Sequence, residues 1–461
     1  MHAARTRISP GRACAGVLAG LALLAAGSSS ACATGPTAHE ARQTSAPCTR
    51  YAAPWGSNHS RGSFAHPFRG IRRLVRSLRP GQKGCLRKGI YRENLSLNRG
   101  GSAHRPITVS SYPGETARLI GTLTLNDRAS NLIFEHLYLD GVNSRHAASP
   151  IVTAGNVTFR DNDVTNEHTA ICFLLGVRGY GRAKNVAITR NRIHDCGRLP
   201  RTQLDHGIYV EHTNAVVISQ NWIYDNADFG VHLYPDAQGT RVTGNVIDGN
   251  GMGVTFSGEE HFASNDNLVD HNVISNSVER YNVENYFPGP TGHGNVLRSN
   301  CVGGGVRDSG NGGIQVPHIG FAATGNVIAA ARFPARRSRN FRLSRGSPCG
   351  SVLPKTKRTP GVGAPAPPRA FVVVVRAPQL VRPGRRLRVR GAVAIDDGRR
   401  IRQAMLQAHR GSGWRTLASA NVKRDRWFRL AYRVGPHQAR LRLRVVAPGA
   451  HRSRSFRVRV G

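Results

Sequence analysis

The chain has 461 residues, of which 39% are hydrophobic, and a formal charge of +39. The length suits two or three domains. Beyond the first thirty residues no run approaches the ~18–20 unbroken apolar residues of a membrane-spanning helix, which excludes that class.

The charge is unevenly spread. Residues 331–461 carry 33 Lys and Arg against three Asp and Glu, and residues 1–130 carry 19 against four. Residues 131–330 carry 13 against 19 and are mildly acidic. A cleft for a polyanion should be locally basic, so the middle of the chain does not advertise one. The basic C-terminal part suits a polyanion: an anionic cell envelope, a polyanionic glycan or nucleic acid. Arg- and Ala-rich, Lys-poor usage also fits a GC-rich genome. Nucleic acid is not expected as a partner, because aromatics do not interleave with the basic residues of an exported chain.

The N-terminus reads as an export signal over residues 1–33. Arg5, Arg7 and Arg12 precede an apolar run from Ala13 to Ala26, and Ala31-Cys32-Ala33 offers a cleavage site. The same stretch offers a lipoprotein reading, with Cys32 acylated, although Ser29 stands where an aliphatic residue is usual. The expected location is extracellular or at the cell envelope. Six cysteines lie beyond the leader: Cys48, Cys85, Cys172, Cys196, Cys301 and Cys349. An even number in an oxidising compartment predicts three disulfides. Fifteen pairings are open, and neighbouring positions favour Cys48–Cys85, Cys172–Cys196 and Cys301–Cys349. No Cys-x-x-Cys pair points to zinc.

Residues 34–350 form the next unit. Phe68, Ile71, Leu74, Val75 and Leu78 recur at helical spacing, and Pro80-Gly81 ends the run. Cys85 to Leu97, Ile107 to Ser111 and Ala117 to Leu125 then read as first rungs of a repeat. The repeat itself is Asn-x-hydrophobic, at Asn162, Asn191, Asn221, Asn245, Asn272, Asn300 and Asn326, with His136-Leu137-Tyr138 one step earlier. The steps are 26, 29, 30, 24, 27, 28 and 26 residues. Each unit carries a short strand upstream of the Asn, such as Val157-Thr158-Phe159 or Val216-Val217-Ile218. A third strand follows a Gly-rich bend, as at Gly207-Ile208-Tyr209-Val210, Gly230-Val231-His232-Leu233, Gly253-Val254-Thr255-Phe256 and Gly313-Ile314-Gln315-Val316. Three short strands per ~27 residues predict an all-β solenoid, with about eight coils stacked at about 4.8 Å. Asn at one turn of each coil predicts a hydrogen-bonded ladder in the left-handed conformation. The run from Phe68 to Leu78 predicts a helical cap for the open end.

Gly89-Ile90-Tyr91-Arg92-Glu93, then Arg105-Pro106-Ile107-Thr108-Val109-Ser110-Ser111-Tyr112-Pro113-Gly114, then the Asn-rich coils, resemble the right-handed parallel β-helix proteins of the pectate-lyase-like superfamily. That group includes polysaccharide lyases of the chondroitinase B type and mannuronan epimerases. The resemblance covers about residues 48–350 and is specific for fold more than for chemistry. It implies a polysaccharide ligand on one sheet, with calcium in some members.

Residues 351–370 are a Pro/Gly/Ala linker. Residues 371–461 alternate apolar and basic residues in short strands and resemble a bacterial immunoglobulin-like β-sandwich without cysteines.

If Ile208, Val231, Val254 and Ile314 point inward, their neighbours point outward. That gives a column of Cys172, Tyr209, His232, Thr255, Glu284 and Gln315, and a second of Glu211, Tyr234 and Ser257. Asp205 and His206 enter this face, while Asp236, Glu259, Glu260 and His261 leave it. In lyase or epimerase chemistry a base removes the proton beside a uronate carboxylate and a cation neutralises that carboxylate. His206, Tyr209, His232 and Tyr234 are the candidate acid/base groups. In glycoside hydrolysis Glu211 would pair with Asp205, Asp236 or Glu259. Tyr209, Tyr234 and Trp222 are candidate sugar-stacking rings, and Thr255, Ser257 and Glu284 are further candidate contacts. The face departs from the lyase pattern: Lys184 is the one lysine of the repeats, and the columns carry no arginine. Asp205-His206 resembles an epimerase Asp-Pro-His element without its proline. Gly292-His293-Gly294 resembles a polygalacturonase element without its paired aspartates. A non-catalytic glycan-binding solenoid is the reading from another class.

Overall fold

The computed structural model describes residues 47–287, 289–354, 360, 370–394, 401–411, 413–423, 427–436, 438–448, 450–451 and 455–461. The expected leader, its Cys32 and most of the linker lie outside them.

Residues 50–328 wind through three long parallel sheets of 11, 10 and 9 strands, visited in turn once per coil. This is a parallel β-helix. It is longer than the eight Asn-marked coils, because the first rungs turn their corners without asparagine. At that corner Ser111 substitutes, its hydroxyl donating to the His136 carbonyl (2.5 Å) and accepting from the Ala117 amide (3.0 Å).

Identical positions stack into files. In the first sheet Val109, Phe134, Phe159, Ile188, Ile218, Val242, Val269 and Leu297 are successive register partners, and all are buried. β-branched and aromatic side chains suit such pleated, closely packed rows.

The asparagine ladder runs along the corner between the first and second sheets. Asn162, Asn191, Asn221, Asn245, Asn272 and Asn300 each donate a backbone amide to the side-chain oxygen of the next asparagine, at 2.8–3.0 Å. Their side-chain amides donate in parallel. Two expectations are corrected here. The left-handed residue is the one before the asparagine, as at Asp161, Arg190, Gln220, His271 and Ser299. The asparagine itself is spent on the ladder. The first marked step is also one residue out: Asp163 pairs with Tyr138, so Leu137 stands at the Asn162 position and His136 takes the left-handed place.

The cap helix is shorter than its spacing suggests, Ile71–Ser77, with Phe68 before it. No side chain of its own caps it. The Glu93 carboxylate does so from another rung, accepting from the Ile71 (2.7 Å) and Arg72 (3.1 Å) amides. Anionic charge there also suits the helix dipole.

All three expected disulfides form. Cys301–Cys349 ties a late rung to the segment 329–353, which lies on the outer face of the second sheet. Phe341, Cys349 and Val352 pack there on Trp222, Tyr224, Val246 and Val273. At one border of this contact His194 bridges Asp163 and Asp195, 2.7 Å from each, and Arg339 grips Asp195.

Residues 370–460 form a four-stranded and a five-stranded sheet. Leu387, Val389, Phe428 and Leu430 of one share a core with Leu406, Leu443, Val445 and Val458 of the other. This is a β-sandwich.

Candidate functional site

The third sheet carries the expected face. Ile208, Val231, Val254 and Val283 are register partners pointing inward, and Tyr209, His232, Thr255 and Glu284 follow them outward. Glycines precede this file because the coils approach too closely for a side chain. A Cβ on Gly230 would lie 2.8 Å from the Gly253 carbonyl oxygen. Cys172 does not join the column. Leu174 pairs with Tyr209, while Cys172 is buried and bonded to Cys196. Residues 313–316 form an isolated bridge at Ile314 rather than a strand, with the Gln315 side chain accepting from the Asn285 amide.

The aromatic groups do gather. His206 stacks on Tyr209 (ring centroids 4.2 Å apart), His232 on Phe229 (4.2 Å), and Tyr234 on His232 (4.9 Å), with Phe287 against Tyr234 (4.9 Å). His206 Nε2 lies 2.8 Å from His232 Nδ1, and His232 Nε2 lies 3.3 Å from the Ser257 hydroxyl. Both imidazoles are almost completely buried, at 4% and 1% exposure. Burial pushes the His206 pKa down to about 3 and that of His232 well below its ordinary value, so both rings are neutral. The two histidines expected as surface acid/base groups are therefore corrected to an internal, uncharged pair beneath the tyrosines.

Several expected sugar contacts are engaged elsewhere. Asp205 is buried and held by the Arg198 backbone and guanidinium (2.7 Å each). Asp236 binds Arg182, His212 (2.7 Å) and Gln238 (2.7 Å). Glu284 is fully buried against Arg280 (2.7 Å), and burial raises its pKa. Thr255 and Ser257 are buried too, the Thr255 hydroxyl with no hydrogen-bond partner among the described residues. Trp222 is on the wrong wall. It sits in the second sheet under Phe341 and cannot stack on a sugar bound at the third.

Phe287, which stacks on His232 (5.5 Å), and the anchoring of the segment before His206 were not legible beforehand. Asp228 accepts from the Leu204 and Asp205 amides (3.0 Å each) and the Thr202 hydroxyl (3.2 Å), which fixes the segment that leads into the His206 strand. Tyr286 donates to Gln203 (2.5 Å), and Gln203 donates to Glu279 (3.0 Å).

The open edge is made by Tyr209, Glu211, Tyr234, Glu259 and a residue the columns lack, Arg178. The Arg178 amide donates to Glu211 (3.1 Å), and its guanidinium lies 3.2 Å from Glu260 and 3.6 Å from Glu259. Arg178 comes from the excursion Gly176-Val177-Arg178-Gly179-Tyr180-Gly181 after the third-sheet strand. Those three glycines were the available signal. Burial raises the Glu211 pKa, making it a stronger base than an ordinary carboxylate. Burial also raises both phenols, Tyr209 helped by Glu211 and Tyr234 by its hydrogen bond to Glu259, so both stay protonated. The edge thus offers a base, two proton donors and one guanidinium. Among the described residues no three or more His, Cys, Asp or Glu converge as metal ligands.

Residues 126–316 match the protein family described as right handed beta helix region. The chain is 24% identical over 228 residues, 48% of its length, to an uncharacterized protein, YwoF, of Bacillus subtilis (strain 168), and spans 46% of that protein. Among solved structures it is similar to a rhamnogalacturonan lyase at 14% identity, covering 67% of this chain and 95% of that one, with a TM-score of 0.45. It is also similar to a PL6 family polysaccharide lyase from Pseudopedobacter saltans at 12% identity, covering 64% and 98%, with a TM-score of 0.27.

Proposed function

We propose that this right-handed β-helix protein is a carbohydrate-active enzyme that acts as a lyase or epimerase on a uronic-acid polysaccharide. The observation that carries the reading is the convergence of Arg178 with Glu211, Tyr209 and Tyr234 on one open edge. Glu211 takes the proton from the carbon beside the uronate carboxylate. Arg178, whose present partners Glu259 and Glu260 are surface carboxylates, binds that carboxylate and stabilises the negative charge developing on it. Tyr234 or Tyr209 then donates a proton. Delivered to the glycosidic oxygen, it completes elimination with a new C=C bond. Delivered to the opposite face of the same carbon, it completes epimerisation. His206 and His232 hold the tyrosine rings in register.

A hydrolase reading has one observation in its favour: Glu259 is close enough to Glu211 to contribute to its raised pKa. Absorbance near 235 nm with polygalacturonate, alginate, chondroitin and rhamnogalacturonan separates these chemistries. New absorbance means lyase, and new reducing ends without it mean hydrolase. Altered proton NMR of the polymer without either means epimerase. Binding with none of these signals would leave the non-catalytic reading.

We also propose that the chain is exported, since three disulfides suit an oxidising compartment. N-terminal sequencing of the mature protein tests this, and an intact leader on cytosolic protein would refute it. The division into residues 34–350, a linker 351–370 and a sandwich 371–461 stands as part of the same proposal.

A further inference from the structure

The five-stranded sheet of the sandwich turns a cationic face outward that its fold does not need. Leu441, Leu443, Val445 and Val458 do the packing, and the residues between them are Arg440, Arg442, Arg444, Arg457 and Arg459. Arg442 pairs directly with Arg457 across the strands, and Arg440 with Arg459. These four are exposed, and none has a carboxylate partner among the described residues. From residue 398 onward Asp425 is the only Asp or Glu in the sequence. Like charges directly opposite each other destabilise a sheet, so a purely solvated face would be better built with mixed charge.

One aromatic ring completes the row. His409 pairs with Trp414 on the next strands, and their rings are 5.2 Å apart. The guanidinium of Arg444 lies 4.2 Å from the half-buried Trp414 ring and that of Arg442 5.9 Å. Arg457, Arg442, His409 and Trp414 stand on four adjacent strands, which at ordinary strand spacing is a platform about 14 Å across.

We propose that this face is a second carbohydrate site, which binds an anionic polysaccharide bearing carboxylates and so holds the enzyme on its polymer. Guanidinium forks match carboxylates bidentately, and the indole face takes the apolar side of a sugar ring. The choice of a carboxylated glycan over other polyanions rests on the function proposed for the third sheet. The cationic platform itself does not.

The test uses the full chain and polygalacturonate in affinity electrophoresis at low salt, with neutral dextran and duplex DNA as comparators. Polygalacturonate should retard the protein and dextran should not. The double variant Arg442→Gln/Arg457→Gln should weaken retardation about tenfold without lowering the melting temperature, since it removes a repulsion. Trp414→Ala should weaken it separately. Arg442→Lys/Arg457→Lys keeps the charge and should fall between, which separates recognition from loss of fold. Undiminished retardation in the double glutamine variant, or tighter binding of DNA through the same arginines, would overturn the proposal. Retardation through this face without any uronan chemistry would remove the third-sheet reading and leave this platform standing. Uronan chemistry with no contribution from these arginines would do the opposite.

Discussion

His206 Nε2 and His232 Nδ1 share a 2.8 Å hydrogen bond on adjacent coils, with His232 stacked on Phe229. A proton on both rings would break this contact and bury charge, so the pair is neutral together. If His206 donates, His232 Nε2 is left to donate to Ser257, and the one unpartnered atom, His206 Nδ1, is a lone pair rather than an orphaned N–H.

This pair makes the fold acid-sensitive. Both pKa values lie below the ordinary 6.5, so the unfolded chain binds more protons than the native one once pH falls below that value. Each histidine then costs up to about 1.4 kcal/mol per pH unit until its native pKa is reached. Imidazole NMR should show both rings neutral at pH 5, and His206→Gln should flatten the stability profile between pH 6.5 and 4. Resonances that titrate near 6.5 would refute the buried pair.

His194 should behave in the opposite sense. Burial works against its charge, but Asp163 and Asp195 more than offset this and raise its pKa. Its contribution is complete below pH 6.5 and is lost as pH rises through the raised native value. NMR should find His194 keeping its proton to a higher pH than an ordinary imidazole, in a range where His206 is neutral. Asp163→Asn should remove that difference and loosen the contact of residues 329–353 with the second sheet.

Asn245 tests the ladder. Its oxygen accepts from the amide (2.8 Å) and side chain (2.9 Å) of Asn221, and its own side chain donates to Asn272 (2.9 Å) and to the Ile218 carbonyl (2.8 Å). Asn245→Ala leaves buried partners unpaired and should cost about 2–4 kcal/mol by urea unfolding. Asn245→Asp should cost at least as much, because it buries a charge and loses both donors. A loss below 0.5 kcal/mol for either would mean that the corner is held by packing alone.

Catalysis should separate by role. Glu211→Gln should abolish uronan turnover, and Tyr234→Phe should lower kcat about 10²–10⁴-fold. Arg178→Ala should impair both KM and kcat, since it acts on substrate and developing charge alike. His232→Gln should reduce turnover less than Glu211→Gln does, because the ring positions its neighbours and never meets substrate. Full activity in Glu211→Gln would displace the base to another residue.

The covering segment depends on its disulfide. Cys301 and Cys349 are 48 residues apart, a loop whose closure is worth about 2–4 kcal/mol. Cys349→Ser should lower the melting temperature and shift the Trp222 emission to the red as Phe341 lifts away. Unchanged emission would show that the His194–Arg339 network holds the segment alone.

The period of the coils, the corner asparagines, the three disulfides and the sheet that carries Tyr209 and His232 all follow from local sequence. The coils depend on residues within about thirty positions and the disulfides on residues no more than 48 apart, and strand alternation fixes which side chains point outward. The sandwich strand Gln403–Arg410 hides better, since its inward residues Ala404, Leu406 and Ala408 include two small ones. Outward is not the same as exposed, however, and that distinction belongs to tertiary structure. Phe287 stacks on His232 from more than fifty residues away, and Phe341 arrives from more than a hundred residues away to bury Trp222. Arg178 enters the open edge from an irregular turn that no periodicity describes. Repetition sets where a strand lies, whereas burial and charge pairing are set by whatever the rest of the chain lays over it.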